Sequence, residues 1–344
     1  MMKERKYSPD KYLDSLYRQI YRSPYKDVRG REECLKVSKA LRGQLAEILA
    51  IERIPAQIKN LRPEIVKTED REGFIQETIS LELCDGWNTL CYLLTPKLPS
   101  GSAVVAVCGH GYGCRQIISQ GKRGSRRRIN FLDNYQKNFA IELVKRGNTV
   151  IAYEPIGFGE ARKRKDGFKP FYSNSCRDIS LHTLMYGLTT ASLRIYQAMR
   201  CTDMLEAKGF KDIGCMGISG GGLVALYFAC LDERIKRTVV SGYINTFRDS
   251  VMSVWHCPDN YIPGILAAGE IFDFASAIAP RKLLVESGSR DMIFPRKGVQ
   301  TAIEHISRIY REVGAEDNFS VDLFEGRHEI SGRKSYTFFN EEKP

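Results

Sequence analysis

This chain of 344 residues has no long hydrophobic run. Its longest apolar stretches, residues 103–108 and 221–230, span ten residues at most, half of the roughly 20 that a membrane helix needs. Internal repeats and low-complexity tracts are absent, which excludes solenoids and propeller arrays. The N-terminal sequence MMKERKYSPDKYLDSLYRQ carries early positive charge but no apolar segment behind it. The expectation is therefore a cytoplasmic protein without a secretory signal. Cysteine pairs of the CxxC type are also missing. The ten cysteines scatter from Cys34 to Cys257, and Cys108, Cys215 and Cys230 sit in apolar segments where a reduced thiol packs as a small hydrophobe. That pattern leads us to expect reduced thiols, no zinc site and no other metal.

Charge of one sign is in excess: 52 Lys and Arg against 41 Asp and Glu give +11. Two dense basic runs, residues 122–128 and 162–165, hold part of it. Neither is interleaved with aromatics, so nucleic acid is not the expected partner, nor is a membrane. They read as solvated loops or as attraction for an anionic substrate. The remaining composition, 43% hydrophobic and 27% charged, is that of an ordinary globular protein of one large domain or two smaller ones.

Residues 1–60 read as a helical extension. Ser8-Pro9-Asp10 starts one helix, and Leu35, Leu41, Leu45, Ile48 and Leu49 stripe a second. From residue 61 onward the pattern becomes that of a catalytic domain running to 344. Period-two runs at 64–68, 74–84 and 89–94 predict three strands joined by turns at Gly73 and Gly86. Short, β-branched apolar runs then alternate with helical patterns. Strands are expected at 103–108, 149–153, 213–217, 238–241, 282–286 and 320–324, and helices at 131–146, 179–208, 221–231, 296–313 and the C-terminus. Continuously apolar strands between helices mean a parallel sheet covered on both faces, an α/β fold with an antiparallel entry.

Gly217-Ile218-Ser219-Gly220-Gly221 stands between such a strand and such a helix. G-x-S-x-G in that context is a nucleophile elbow: the small residues let backbones pass closely, and Ser219 stands over a helix N-terminus. A serine nucleophile needs a base and an orienting acid, in chain order Ser, acid, His. His305 lies mid-helix, whereas His328 follows a strand through Glu325-Gly326-Arg327, so His328 is the expected base. Asp291, after Ser287-Gly288-Ser289-Arg290, is the expected acid, with Asp249 and Glu286 as competitors. Oxyanion donors are expected from the N–H of Gly220 and of Tyr112, the latter in Cys108-Gly109-His110-Gly111-Tyr112-Gly113. His110 precedes the serine and reads as an organiser of that loop, at the pocket's margin. Glu154 either contacts substrate or orders its own loop. Trp255 and His256 either wall the pocket or belong to a packed loop, and His182 reads as structural.

Together HGYG at 110–113, GISGG at 217–221, the Asp291 loop and His328 resemble the α/β-hydrolase superfamily over residues 61–340. Within it, Ile278-Ala279-Pro280-Arg281-Lys282-Leu283-Leu284 before the acid loop is similar to the dienelactone-hydrolase-like and acetylxylan-esterase-related branch. There the segment often reads APRPLL, and Lys282 replaces the second proline. Dienelactone hydrolases proper use a cysteine where this chain has Ser219. The resemblance implies an α/β-hydrolase fold with a mostly parallel eight-stranded sheet, and serine esterase chemistry without a cofactor. The substrate expected is a small-molecule carboxylic ester, such as an acetylated sugar. A peptidase or amidase on the same triad, or a non-catalytic binding protein, are the other readings; the oligomeric state is open.

Overall fold

The computed structural model describes residues 7–118, 134–170 and 173–340. Its first helices are α1 (Asp10–Ile20) and α2 (Arg31–Leu49). Helix α2 buries Cys34, Ser38, Leu41, Leu45 and Leu49, one stripe at helical spacing. Helix α1 buries no residue and is held instead by polar contacts, Tyr17 to Glu270 and Tyr21 to Asp273.

Strands β1 (Pro63–Arg71), β2 (Phe74–Cys84) and β3 (Trp87–Pro96) form an antiparallel meander. The chain continues through β4 (Ala103–Val107), α3 (Phe139–Lys145), β5 (Thr149–Tyr153), α4 (Cys176–Met185), α5 (Thr190–Ala207) and β6 (Ile213–Ile218). Then come α6 (Gly220–Leu231), β7 (Ile235–Ser241), the short α7 (Ile265–Ala268) and α8 (Ile271–Ser276). The last elements are β8 (Lys282–Gly288), α9 (Arg296–Glu312) and β9 (Phe319–Phe324).

All nine strands share one sheet, ordered β1-β2-β3-β5-β4-β6-β7-β8-β9. The join between β3 and β5 is antiparallel, and every pair from β5 to β9 is parallel. The carboxyl ends of six strands therefore line one edge, where open α/β sheets place their ligands. Side chains of β4 alternate between two cores. Ala103, Val105 and Val107 belong to the core that includes α5 and α6, whereas Val104 and Ala106 belong to the one that includes α3, Phe338 and Phe339.

Four expectations change. The sheet has nine strands rather than eight, because all three strands of the antiparallel entry join it. The helix expected over 179–208 is two: Gly187, at φ 70°, breaks it, and Thr189 restarts it through a reciprocal cap with Ser192. Of the helix expected over 131–146, residues 131–133 lie outside the described residues and the helical part is α3. The expected C-terminal helix is replaced, as far as Asn340, by consecutive turns. Among the described residues no helix is long and apolar enough to cross a membrane.

Of the two basic runs, 122–128 lies outside the described residues. In the other, Arg162 donates to the carbonyls of Gly159, Lys169 and Pro170, and Lys163 and Lys165 both pair with Asp178. Those charges brace their own loop.

Candidate active site

Ser219 lies between the end of β6 and the first residue of α6, with φ 58° and ψ −123°. A non-glycine residue held at that positive φ is strained, and its surroundings hold it there. Its N–H donates to Ser241 O at 3.1 Å and its carbonyl accepts from Leu223 N at 2.9 Å. The glycines on either side are required by contact. A Cβ on Gly217 would overlap the carbonyl of Gly221, and one on Gly221 would overlap that of Val107. Gly220 opens α6, so its N–H is among those a helix leaves without an internal acceptor.

His328 and Asp291 come from neighbouring loops after β9 and β8. Those loops are joined by backbone bonds from Ser289 N to Phe324 O and from Arg290 N to Gly326 O, both 2.8 Å. Asp291 Oδ2 lies 2.7 Å from His328 Nδ1. The other oxygen, Oδ1, accepts from the N–H groups of Ile293 and Phe294 at 2.8 and 3.0 Å. A buried carboxylate held at three points presents one fixed lone pair to the imidazole, which sets the tautomer with Nε2 facing away from Asp291. That Nε2 is buried and has no hydrogen-bond partner among the described residues.

The competing acids are engaged elsewhere. Glu286 accepts from Ser241, Ser335 and Gly332 N, and Asp249 bonds Thr246. His305 lies 3.1 Å from Asp273, on the other side of the core.

Two residues without a sequence motif complete the site. The rings of Tyr135 and Phe294 both stack on that of His328, at 5.6 and 5.7 Å and at interplanar angles of 24° and 20°. The Tyr135 hydroxyl donates to His110 O at 2.7 Å. It also lies near Ser219: a Cβ added to Gly109 would overlap that hydroxyl and come within 3.2 Å of Ser219 Cβ. Burial pushes the phenol well above its ordinary range. No hydrogen bond joins Ser219 to His328 Nε2 in this resting geometry, and such contacts often tighten only when substrate binds.

The loop after β4 departs from expectation at Tyr112. Its N–H already donates to Gln116 Oε1 at 2.9 Å, because the turn Gly113–Gln116 folds that side chain back under the loop. Gln116 Oε1 also accepts from Gln136 Nε2 at 2.8 Å. His110 places its ring edge against Gly220, where an added Cβ would come within 2.9 Å of Nδ1. Its Nε2 faces Asp259 Oδ2 at 3.0 Å. Burial would lower the His110 pKa, but the Asp259 carboxylate outweighs burial and raises it to about 10.

Glu154, at the end of β5, does not face substrate space. It is fully buried, lies under Gly113 and Gly159, and accepts from Cys114 N at 3.3 Å. Of its two readings, ordering the loop is the one this position fits. Burial raises its pKa to about 8, and the Cys114 N–H only partly opposes that. In the unfolded chain the carboxyl ionises near 4.5, so the folded state loses stability as pH rises from there towards 8. Glu154→Gln removes this pH dependence. Its melting temperature should match the wild type at about pH 4.5 and exceed it increasingly up to pH 8; parallel curves across that range would show that Glu154 is not held neutral.

Trp255 is 90% exposed, so it neither walls a closed pocket nor packs its loop. Met252 and Val254, near it in the chain, and Met292, beside Asp291, are exposed apolar side chains as well. His256 is half-buried against Phe294, with ring centroids 5.5 Å apart, and burial lowers its pKa. His182 lies on α4, half-exposed and 3.8 Å from Asp178.

The serine turn, the paired acid and histidine loops and the parallel sheet beneath them make this the α/β-hydrolase fold. No family model matches the chain. Among curated proteins it is similar to one from Bacillus subtilis (strain 168) named "Putative hydrolase YtaP", 26% identical over 281 residues, 78% of this chain and 88% of that one. Among solved structures it shares its fold with a "putative acetyl xylan esterase" from Bacteroides fragilis NCTC 9343, with a TM-score of 0.77, 18% identity and coverage of 95% of this chain and 84% of the other. A glucuronoyl esterase from Solibacter usitatus also shares it, with a TM-score of 0.63, 16% identity and coverage of 89% and 93%.

Proposed function

We propose that this protein is a serine hydrolase of small carboxylic esters, acting in the cytoplasm on an acetylated sugar or oligosaccharide. The observation that carries the reading is the 2.7 Å contact of Asp291 with His328, set beside a serine strained at φ 58° at the head of a helix. Ser219 Oγ attacks the ester carbonyl while His328 Nε2 takes its proton, and Asp291 holds the imidazole tautomer and stabilises the imidazolium. The Gly220 N–H stabilises the oxyanion; Tyr112 N–H joins it only when Gln116 releases it. His328 then protonates the leaving alcohol, and water deprotonated by His328 releases the acid from Ser219.

The choice of substrate is supported by the names of the fold relatives, which are carbohydrate esterases, and by the exposed Trp255 ring, next in the chain to the His256 that packs on Phe294. A flat apolar ring in water offers a platform to the apolar face of a sugar. The test is a rate series on p-nitrophenyl esters from acetate to octanoate, followed by acetylated xylo-oligosaccharides and methyl uronates. Highest Ser219-dependent rates on acetate and on the acetylated sugars are expected. Turnover confined to aminoacyl anilides would replace the esterase reading with a peptidase one.

A further inference from the structure

A cluster outside the serine, histidine and aspartate set has its own chemistry. His110, from the loop after β4, meets Cys176, the first residue of α4, and Cys257 and Asp259 from the segment after β7. One ligand atom from each lies within 4.8 Å of the others. A nitrogen, two sulfurs and an oxygen so close together are the donor set and spacing of a tetrahedral zinc-type site.

Two further observations point the same way. His110 Nε2 is buried and, although Asp259 Oδ2 is 3.0 Å away, makes no hydrogen bond of normal geometry. Arg194 is buried beside the cluster and donates to Asp259 Oδ2 at 2.6 Å and to Cys176 Sγ at 3.0 Å. Donors to the outer lone pairs of ligating carboxylates and thiolates are the usual support around a metal. With both thiols ionised, the carboxylate and two thiolates balance a divalent ion together with Arg194, so the buried unit is neutral.

We propose that His110 Nε2, Cys176 Sγ, Cys257 Sγ and Asp259 form a four-coordinate site for a zinc-type divalent cation. Four protein ligands leave no open position, so the ion is structural. It ties the loop that abuts Gly220 to the start of α4 and to the segment after β7 that carries Trp255. The site is independent of the esterase reading, because metal content is read without any substrate.

The test is purification of the full chain in reductant, without chelator and with any affinity tag removed, followed by elemental analysis. About one zinc per chain is expected. Added cobalt should give the intense thiolate-to-cobalt absorption of a tetrahedral site. Cys257→Ser and Asp259→Asn should lose the metal, whereas Cys34→Ser, far from the cluster, should keep it. Since a variant that fails to fold also loses metal, the cobalt spectrum of the unmutated chain decides. Wild-type protein with less than about a tenth of an equivalent of zinc and no cobalt absorption overturns the proposal. So does full metal retention in Cys257→Ser, or a metal-free Cys176–Cys257 disulfide in protein handled in reductant.

Discussion

Ser219→Ala should reduce kcat on p-nitrophenyl acetate by at least about 10⁴-fold, to the level left by binding and the oxyanion donors alone. Asp291→Asn should cost about 10⁴-fold by a different route. The amide still accepts the Ile293 and Phe294 N–H bonds through Oδ1, so the loop and the melting temperature should hold. Its nitrogen, however, faces His328 Nδ1 and donates, forcing the proton onto Nε2, where the base must be free. The expected signature is a large fall in kcat with little change in KM. Asp291→Asn activity above about a tenth of the wild type would remove His328 and Asp291 from the proposed mechanism, whatever Ser219→Ala does.

The parts of the fold read correctly from sequence were those where one physical signal dominated. Strand β5 was read to the residue, because a run of five buried residues between polar turns has no competing pattern. The break at Gly187 was hidden because apolar periodicity runs across it, and a glycine inside a helical pattern is tolerated often enough to be overlooked. For the site, serine, acid and histidine each announce themselves by following a strand. Tyr135 and Phe294 do not, since stacking on His328 depends on how loops after different strands fold over one another. The His110 and Cys176 cluster leaves no mark for a related reason: metal ligands are recognised in sequence by short spacings, and these residues come from a loop, a helix start and a third, distant segment. At Tyr112 the Gln116 side chain that occupies its N–H leaves no pattern in the sequence.

The second large effect concerns stability. Gly221→Ala places a methyl group into the carbonyl of Val107 and within 2.8 Å of that of Cys108. Both are backbone atoms at the end of the central strand β4, and neither has a rotamer to give. The loss should exceed about 4 kcal/mol, beyond the range of most single substitutions, and should appear as a lower denaturant midpoint or as insoluble protein. Gly43→Ala is the contrast. Gly43 is exposed within α2 with nothing within 4 Å of the added methyl, so this change should stabilise by about 0.5–1 kcal/mol. A Gly221→Ala protein as stable as the wild type would mean that β4 and α6 approach less closely than described.

The position of β4 between β5 and β6 also sets an order in time. As the chain leaves the ribosome, the β1–β3 meander needs only neighbours in sequence and can pair early. Strand β4 emerges next and has no partner until β5 is made, and its other side stays open until β6 follows, more than a hundred residues later. Ser219 arrives with that closure, while His328 waits for the last stretch of the chain. At roughly 5–20 residues per second, the nascent protein passes several seconds with its nucleophile turn assembled and its base still missing. On the proposed mechanism, a chain released before residue 328 would hold its nucleophile without its base.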